Sequence, residues 1–162
     1  MKTDNLTFRD TVIPTDIKNI YRILTSTGFF REAEIDVAIE LVKETLEKGD
    51  SSGYLFIFLQ LEGETIGYSC FGEIPCTVRN FDLYWIGVDE RYRGNGFGRI
   101  LMKRTEDAVK TLHGRGIYIE TSEKEQYKPT MAFYKSSGYD LLYVFKDFYD
   151  TGDHKAVFYK KL

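Results

Sequence analysis

A glycine-rich stretch flanked by arginines contains the residue types best suited to chemistry. Gly94, Gly96 and Gly98 stand at alternate positions in RYRGNGFGRILM, between an apolar run and a segment of helical periodicity. The first N–H groups of a helix lack intrahelical partners and carry the positive end of its dipole, and glycines let a phosphate approach them. Four cationic side chains lie nearby: Arg91, Arg93, Arg99 and Lys103. The stretch predicts a diphosphate-binding site, although a turn that needs positive φ would use the same glycines.

The spacing of these glycines excludes two common nucleotide-binding motifs. A Walker P-loop requires GxxxxGK[ST], and no Lys-Ser/Thr pair follows the glycines here. A dinucleotide fingerprint requires GxGxxG in a first βαβ unit, whereas these glycines run GxGxG after four predicted strands. The ligand is therefore not expected to bind in either of these two ways.

Length, composition and charge restrict the class of protein. A chain of 162 residues that is 43% hydrophobic suits one globular domain over residues 1–162. Its net charge of −3 argues against nucleic acid as the main partner. No apolar run approaches the roughly 18 residues of a membrane span, and MKTDNLTFRD lacks the apolar core of a signal peptide. We expect a cytoplasmic protein that binds neither nucleic acid nor membranes.

The elements that must position the glycine stretch follow from apolar periodicity and turn residues. The predicted strands are 6–12, 54–61, 64–74, 81–88, 117–121, 140–147 and 154–161. Two helices end at Gly28 and Gly49, the first with Pro14 in its first turn; later helices cover Ile100–Leu112 and 129–137. The first helix is predicted to bury Ile17, Ile20, Tyr21 and Leu24. The order β-α-α-β-β-β-α-β-α-β-β predicts an α/β fold whose central sheet is mixed, mostly antiparallel and flanked by helices.

Motifs over roughly residues 81–139 resemble a known family. Arg93, Gly96 and Gly98 meet the pattern [R/Q]xxGxG after a strand that ends in IGV, and AFYKSSGY (132–139) follows the next strand. This combination is similar to the acyl-CoA-binding motif of the GNAT superfamily of N-acetyltransferases, and the order of elements resembles that family over the whole chain. The resemblance implies acetyl-CoA as co-substrate, and no residue cluster suggests a metal.

The resemblance also implies which residues hold acetyl-CoA. They are Ile86, Gly87, Val88, Arg93, Gly94, Asn95, Gly96, Phe97, Gly98, Arg99 and Tyr127. A backbone amide within Ile86–Val88 would donate to the thioester carbonyl. Many relatives have Asn and Ala where this chain has Tyr127 and Thr130, so either residue would replace the usual asparagine contact to the pantetheine arm.

Acid and base roles follow from the same resemblance. Tyr134 aligns with the tyrosine that protonates the departing thiolate, although among 12 tyrosines it could instead be a core aromatic. Asp82 is the first candidate base, because it falls where histone-acetylating relatives place a glutamate. Glu120 is the second, near the glutamate of relatives that acetylate protein N-termini. Glu73 or a chain of water molecules remains an alternative.

The cysteines and histidines suit no competing mechanism well. A covalent route through Cys70 or Cys76 is open in principle, but neither cysteine has an adjacent histidine. His113 is expected at a helix end and His154 in a loop, both in structural or solvated roles.

The resulting functional prediction is transfer of an acetyl group to a primary amine by direct attack in a ternary complex. A small molecule is the favoured acceptor, and a protein N-terminus or lysine is the second choice. The rival is a non-catalytic acyl-CoA sensor or regulatory module on the same fold. A homodimer is left open.

Overall fold

Eleven helices and strands succeed one another in the computed structural model, which describes residues 5–162. They are β1 (Leu6–Arg9), α1 (Asp16–Thr27), α2 (Glu32–Lys48), β2 (Leu55–Leu61), β3 (Glu64–Glu73), β4 (Asn80–Val88), α3 (Phe97–Thr111), β5 (Gly116–Ser122), α4 (Lys128–Ser136), β6 (Asp140–Asp150) and β7 (Asp153–Lys161). The predicted order of elements is confirmed.

The strands form a seven-stranded sheet in the order β1-β2-β3-β4-β5-β7-β6. Hairpins give antiparallel pairing of β2 with β3 and of β6 with β7, whereas α3 crosses over so that β4 and β5 run parallel. In that parallel pair, residues Asn80–Leu83 lie beside Gly116–Ile119. The predicted mixed, mostly antiparallel sheet flanked by helices is confirmed.

The chain divides into two compact units, the first of which contains residues up to Gly72 together with Trp85–Thr105. Its core joins α1 and α2 to β2 and β3, where Ile20, Ile23 and Leu24 are fully buried. The prediction that Tyr21 belongs to this face is wrong, because its side chain is 42% exposed. Ile23 takes that place, since i, i+3 and i+4 positions from Ile20 define the buried stripe.

The second unit contains Glu73–Tyr84 and Glu106–Leu162. Tyr134 packs its ring against Phe158, at a centroid distance of 5.6 Å, and against Tyr139 at 6.4 Å. Beside them the buried carboxylate of Glu106 accepts hydrogen bonds from Lys160 Nζ at 2.9 and 3.0 Å. The ammonium also donates to the Ser137 carbonyl at 2.8 Å, which ties the end of α4 to β7.

Some strands and helices begin or end at residues other than the predicted ones. β1 ends at Arg9 instead of residue 12, since Arg9 turns to bind the buried carboxylate of Asp16. Pro14 consequently precedes α1 instead of lying in its first turn. β6 continues to Asp150, which pairs with Asp153 across a two-residue turn, and His154 lies in β7 instead of a loop.

Two features of residues 5–162 concern membranes and metals. Across residues 5–162, no helix combines the length and apolar character that crossing a bilayer requires. The same residues contain no group of three or more His, Cys, Asp or Glu arranged to hold a metal ion.

Candidate active site

The turn between β4 and α3 has a left-handed backbone at two of its glycines. Gly94 has φ = 77° and Gly96 has φ = 80°, a region that residues with a Cβ rarely adopt. Beyond its chain neighbours, a Cβ at either position would meet no atom of residues 5–162 within 4 Å, so the backbone conformation, and not crowding, requires glycine. Gly98 differs, because it lies inside α3 and has no left-handed φ.

The amides of this turn remain available for a ligand. Within residues 5–162, the backbone N–H groups of residues 94–98 donate to no protein acceptor, and the first such bonds run from Arg99 and Ile100 to the Gly96 carbonyl. Unpaired N–H groups at the start of a 15-residue helix favour an anion. The residues present therefore fit a diphosphate group, even though the same glycines also serve the turn.

The cations near the turn are not equivalent. Arg91 donates to Asp89, and Arg93 is ion-paired with Glu90 at 2.6 Å. Lys103 also has a partner in the protein. The side chain of Arg99 is exposed and makes no ion pair within residues 5–162. Of the four cations predicted near the glycines, Arg91, Arg93 and Lys103 therefore have partners within the protein.

Asp89 is a residue that the sequence reasoning missed. It is 1% exposed and caps the turn that follows β4, accepting from Arg91 N and Nε at 3.0 Å each. Its carboxylate also accepts from Arg22 of α1. Burial opposes its ionisation, but the hydrogen bonds from Arg91 and the charge of Arg22 outweigh burial and lower the pKa of Asp89. An aspartate directly after a predicted strand was the available signal, because that position commonly caps a turn.

The strand entering the turn is held closely by its neighbours. The amide of Asp89 donates to the Ile66 carbonyl at 2.8 Å, which joins the end of β4 to β3. A Cβ on Gly87 would lie 3.3 Å from Ile23 Cγ2, so tight packing against α1 explains this glycine. Ile86 and Val88 are half-buried, whereas Phe97 buries its side chain and can offer only its backbone to a ligand.

Tyr134, the candidate acid, lies in α4 of the second unit and is 6% exposed. Burial, with a smaller contribution from Tyr127, raises the pKa of its phenol, so the hydroxyl stays protonated at neutral pH. That hydroxyl forms no hydrogen bond with any residue in the described part of the chain. Tyr127 caps the start of α4, and it is brought near enough to Tyr134 for the two to interact. The alternative role of Tyr134 as a core aromatic is compatible with its ring contacts, but packing makes no use of the hydroxyl.

The two candidate bases, Asp82 and Glu120, are brought together on the parallel strands β4 and β5. Burial, followed by the negative charge of Glu120, raises the pKa of Asp82 to about 6, and the positive charge of Lys155 opposes the shift. Glu120 itself is 51% exposed and paired with Lys155 at 3.1 Å. Asp82 is therefore the carboxylate whose proton affinity suits a base near neutral pH.

Three of the other residues considered for catalysis are buried or hydrogen-bonded within the protein. Glu73 accepts a hydrogen bond from the Arg79 amide at the end of β3, at 3.2 Å. Cys70 is completely buried, and burial raises the pKa of its thiol, which disfavours a nucleophilic thiolate. Nδ1 of His154 accepts from the Asp147 amide at 2.9 Å.

The order of elements, the mixed seven-stranded sheet and the glycine turn between β4 and α3 define the fold as that of GNAT acetyltransferases. The chain belongs to the acetyltransferase (GNAT) family, whose sequence profile matches residues 17–139. The predicted family resemblance is thereby confirmed.

Similarity to individual proteins supports the assignment to this family. A GNAT-family protein from Desulfovibrio desulfuricans superposes with a TM-score of 0.94 and 38% identity, covering 96% of this chain and 98% of its own. The uncharacterized N-acetyltransferase YhbS of Escherichia coli K12 is 35% identical over 107 residues, which span 60% of this chain and only 56% of YhbS. A GNAT acetyltransferase from Elizabethkingia anophelis, solved with acetyl-CoA bound, shares the fold at a TM-score of 0.69 and 18% identity, covering 98% of this chain and 99% of its own.

Proposed function

We propose that this protein is an N-acetyltransferase that moves the acetyl group of acetyl-CoA to a primary amine. The observation that carries the proposal is the row of amides at residues 94–98 that have no acceptor within residues 5–162, in a turn shaped by two left-handed glycines. In a chain of the GNAT family, such amides suit the diphosphate of CoA. The acetyl-CoA bound to the Elizabethkingia protein of the same fold supports the choice of ligand.

When bound, acetyl-CoA supplies an acetyl group activated as a thioester. The amides of Gly94–Gly98 bind the diphosphate, and Arg99 adds a positive charge that no acidic side chain within residues 5–162 pairs with. Arg93 contributes its backbone to the turn, while its guanidinium holds Glu90 and stacks on Phe29 at 4.9 Å. Tyr127 or Thr130 takes the pantetheine contact that other members make with asparagine.

The reaction has three further demands on the protein. A backbone amide within Ile86–Val88 donates to the thioester carbonyl oxygen and stabilises the charge that develops there. Tyr134 donates a proton to the thiolate as the carbon–sulfur bond breaks. Asp82 accepts a proton from the attacking amine, which must lose its positive charge because an alkyl ammonium has a pKa near 10.4. The nitrogen becomes positively charged again when it attacks, and the second proton that it loses as the carbon–sulfur bond breaks replaces the one that Tyr134 gives to the thiolate. Direct attack in a ternary complex therefore balances without a covalent enzyme intermediate.

A small molecule is the proposed acceptor, ahead of a protein N-terminus or lysine. We propose further that residues 1–162 act as one acetyltransferase domain, and that the protein works in the cytoplasm without nucleic acid, a membrane or a metal.

Ligand titration followed by thermal unfolding tests the proposal. Acetyl-CoA at 100 times its Kd is expected to stabilise the protein by about 2.7 kcal/mol, whereas ATP and NAD, which use other glycine motifs, are expected to have no effect. A panel of amines is then screened for CoA thiol release. Absence of any stabilisation by CoA thioesters would contradict the proposed function.

The role of Asp82 predicts a specific pH dependence. A base with a pKa of about 6 must be ionised to act, so kcat/KM is expected to rise with pH up to about 6 and then level off. Asp82→Asn is expected to abolish this rise and to lower kcat/KM at pH 7.5 by roughly 10²-fold. Because the folded pKa exceeds the unfolded one, ionisation of Asp82 weakens folding as pH rises through 6. The variant should therefore be no less stable at pH 7.5, which separates lost catalysis from unfolding.

Substitutions of two charged residues near Asp82 serve as controls, because they are expected to shift the pKa of Asp82 in opposite directions. Glu120→Gln removes a charge that raises the pKa of Asp82 and should move the acidic limb to lower pH. Lys155→Met removes a charge that lowers this pKa and should move the limb to higher pH. If Glu120→Gln instead eliminates turnover while Asp82→Asn does not, Glu120 is the base.

A further inference from the structure

β6 exposes apolar side chains along its whole length. All eleven of its residues are exposed, in contrast to β7, where Ala156 and Phe158 are fully buried. Seven of the exposed residues are large and apolar: Leu141, Leu142, Tyr143, Val144, Phe145, Phe148 and Tyr149. Tyr143 is the most exposed of them, at 68%. Contiguous apolar surface of this kind marks an interaction site in soluble proteins.

The position of β6 in the sheet adds a second reason for a partner. β6 ends the strand order, with β7 as its neighbour among the described strands, so its other edge offers backbone groups for pairing. A register shift against β7 between Leu141 and Tyr143 is one device that discourages edge pairing. A second register shift lies between Phe145 and Asp150, and the charged residues of β6 are at Asp140 and from Lys146 onward. Between these ends, residues 141–145 contain neither a proline nor a charge that would discourage pairing.

We propose that β6 is the interface of a homodimer, in which two copies of the strand run antiparallel about a two-fold axis at Tyr143. The sequence on either side of this residue is self-complementary: DLL precedes it and VFK follows it. In this arrangement Asp140 faces Lys146 of the second copy, and apolar residues face apolar residues between them. Neither charged side chain forms an ion pair within residues 5–162 of its own chain, so both are available to a partner.

The area of this surface is compatible with a second copy as the occupant. The five apolar side chains of the paired segment, Leu141 to Phe145, expose roughly 400 Å² per chain, taking about 150–250 Å² for a fully exposed large side chain. A standard interface buries about 800 Å² per partner, and the strand backbone and the charged ends supply additional area. The dimer is expected at the weaker end of stable interfaces, with a Kd on the order of micromolar.

Sedimentation equilibrium between about 1 and 100 μM measures this assembly directly. The wild-type protein is expected to dimerise, and Tyr143→Arg, which sets two cations against each other at the axis, should weaken the dimer at least tenfold. Val78→Arg is the matched control, because Val78 is 69% exposed but lies outside β6. It should dimerise like the wild type. Unchanged circular dichroism would show that both variants fold.

A charge exchange tests the register of the two strands. Asp140→Lys and Lys146→Glu each place like charges opposite one another at two points of the dimer, and each should raise Kd about tenfold. The double variant restores opposite charges and should return within about threefold of the wild-type Kd. A wild-type protein that stays monomeric at 100 μM, or a Tyr143→Arg variant with unchanged Kd, overturns the proposal. Failure of the double variant to recover overturns the register about Tyr143. None of these outcomes depends on acetyl transfer.

Discussion

Replacing Tyr134 by phenylalanine is expected to lower kcat by about 10²–10⁴-fold and to leave the affinity for acetyl-CoA nearly unchanged. The ring contacts with Phe158 and Tyr139 survive the substitution, whereas the donor to the thiolate is lost. Because the hydroxyl has no hydrogen-bond partner within residues 5–162, its removal should cost little folding stability. Steady-state kinetics and direct binding of acetyl-CoA measure the two quantities separately.

Tyr139→Phe is the matched control for this experiment. Tyr139 is also a buried phenol, but its hydroxyl is hydrogen-bonded to Glu106. Losing that bond should lower the free energy of unfolding by about 1 kcal/mol while turnover changes only a few-fold. If Tyr134→Phe retains wild-type kcat, Tyr134 is a core aromatic, and the acid must be sought elsewhere. If the wild type binds acetyl-CoA but no amine releases CoA, the regulatory module becomes the better description of the protein.

The second large effect is expected from Gly96→Ala, which should weaken acetyl-CoA binding at least tenfold. Alanine at φ = 80° is strained by about 1–2 kcal/mol, and relief of that strain would displace the amides that face the diphosphate. Isothermal titration calorimetry with acetyl-CoA gives the affinity, and thermal unfolding gives the accompanying loss of stability.

Gly152→Ala separates strain from ligand binding. Gly152 has φ = 77° in the β6–β7 turn, and a Cβ there also meets no atom within 4 Å among the described residues beyond its chain neighbours. Both variants should therefore lose similar stability, but only Gly96→Ala should lose affinity for the co-substrate. Equal affinities in the two variants would mean that Gly96 serves the turn alone.

The parts of the fold that were predicted correctly depend on local patterns. The hairpin at Glu62-Gly63 and the end of α1 at Gly28 follow from turn and capping residues that act within a few positions. The error at Tyr21 has a different origin, because several residues around a short helix can match an apolar stripe. Which of them is buried depends on the strands that the helix meets, and periodicity does not contain that information.

The candidate site divides in the same way. The glycine turn was predictable because its conformation is determined by consecutive residues. Asp89 was missed, since its partner Arg22 stands 67 positions earlier in the chain. The raised pKa of Asp82 could not be predicted from the sequence either, because it depends on burial and on charges from β5 and β7.

By itself, the sequence determined the order of the elements, the family and the turn whose amides suit a diphosphate, since each depends on residues close together in the chain. The tertiary structure alone decided which arginine of the glycine stretch has no ion pair within residues 5–162, which carboxylate has a pKa raised to about 6 and which strand is left as an apolar edge. These properties arise from burial and charge, which act through space between residues that are far apart in sequence.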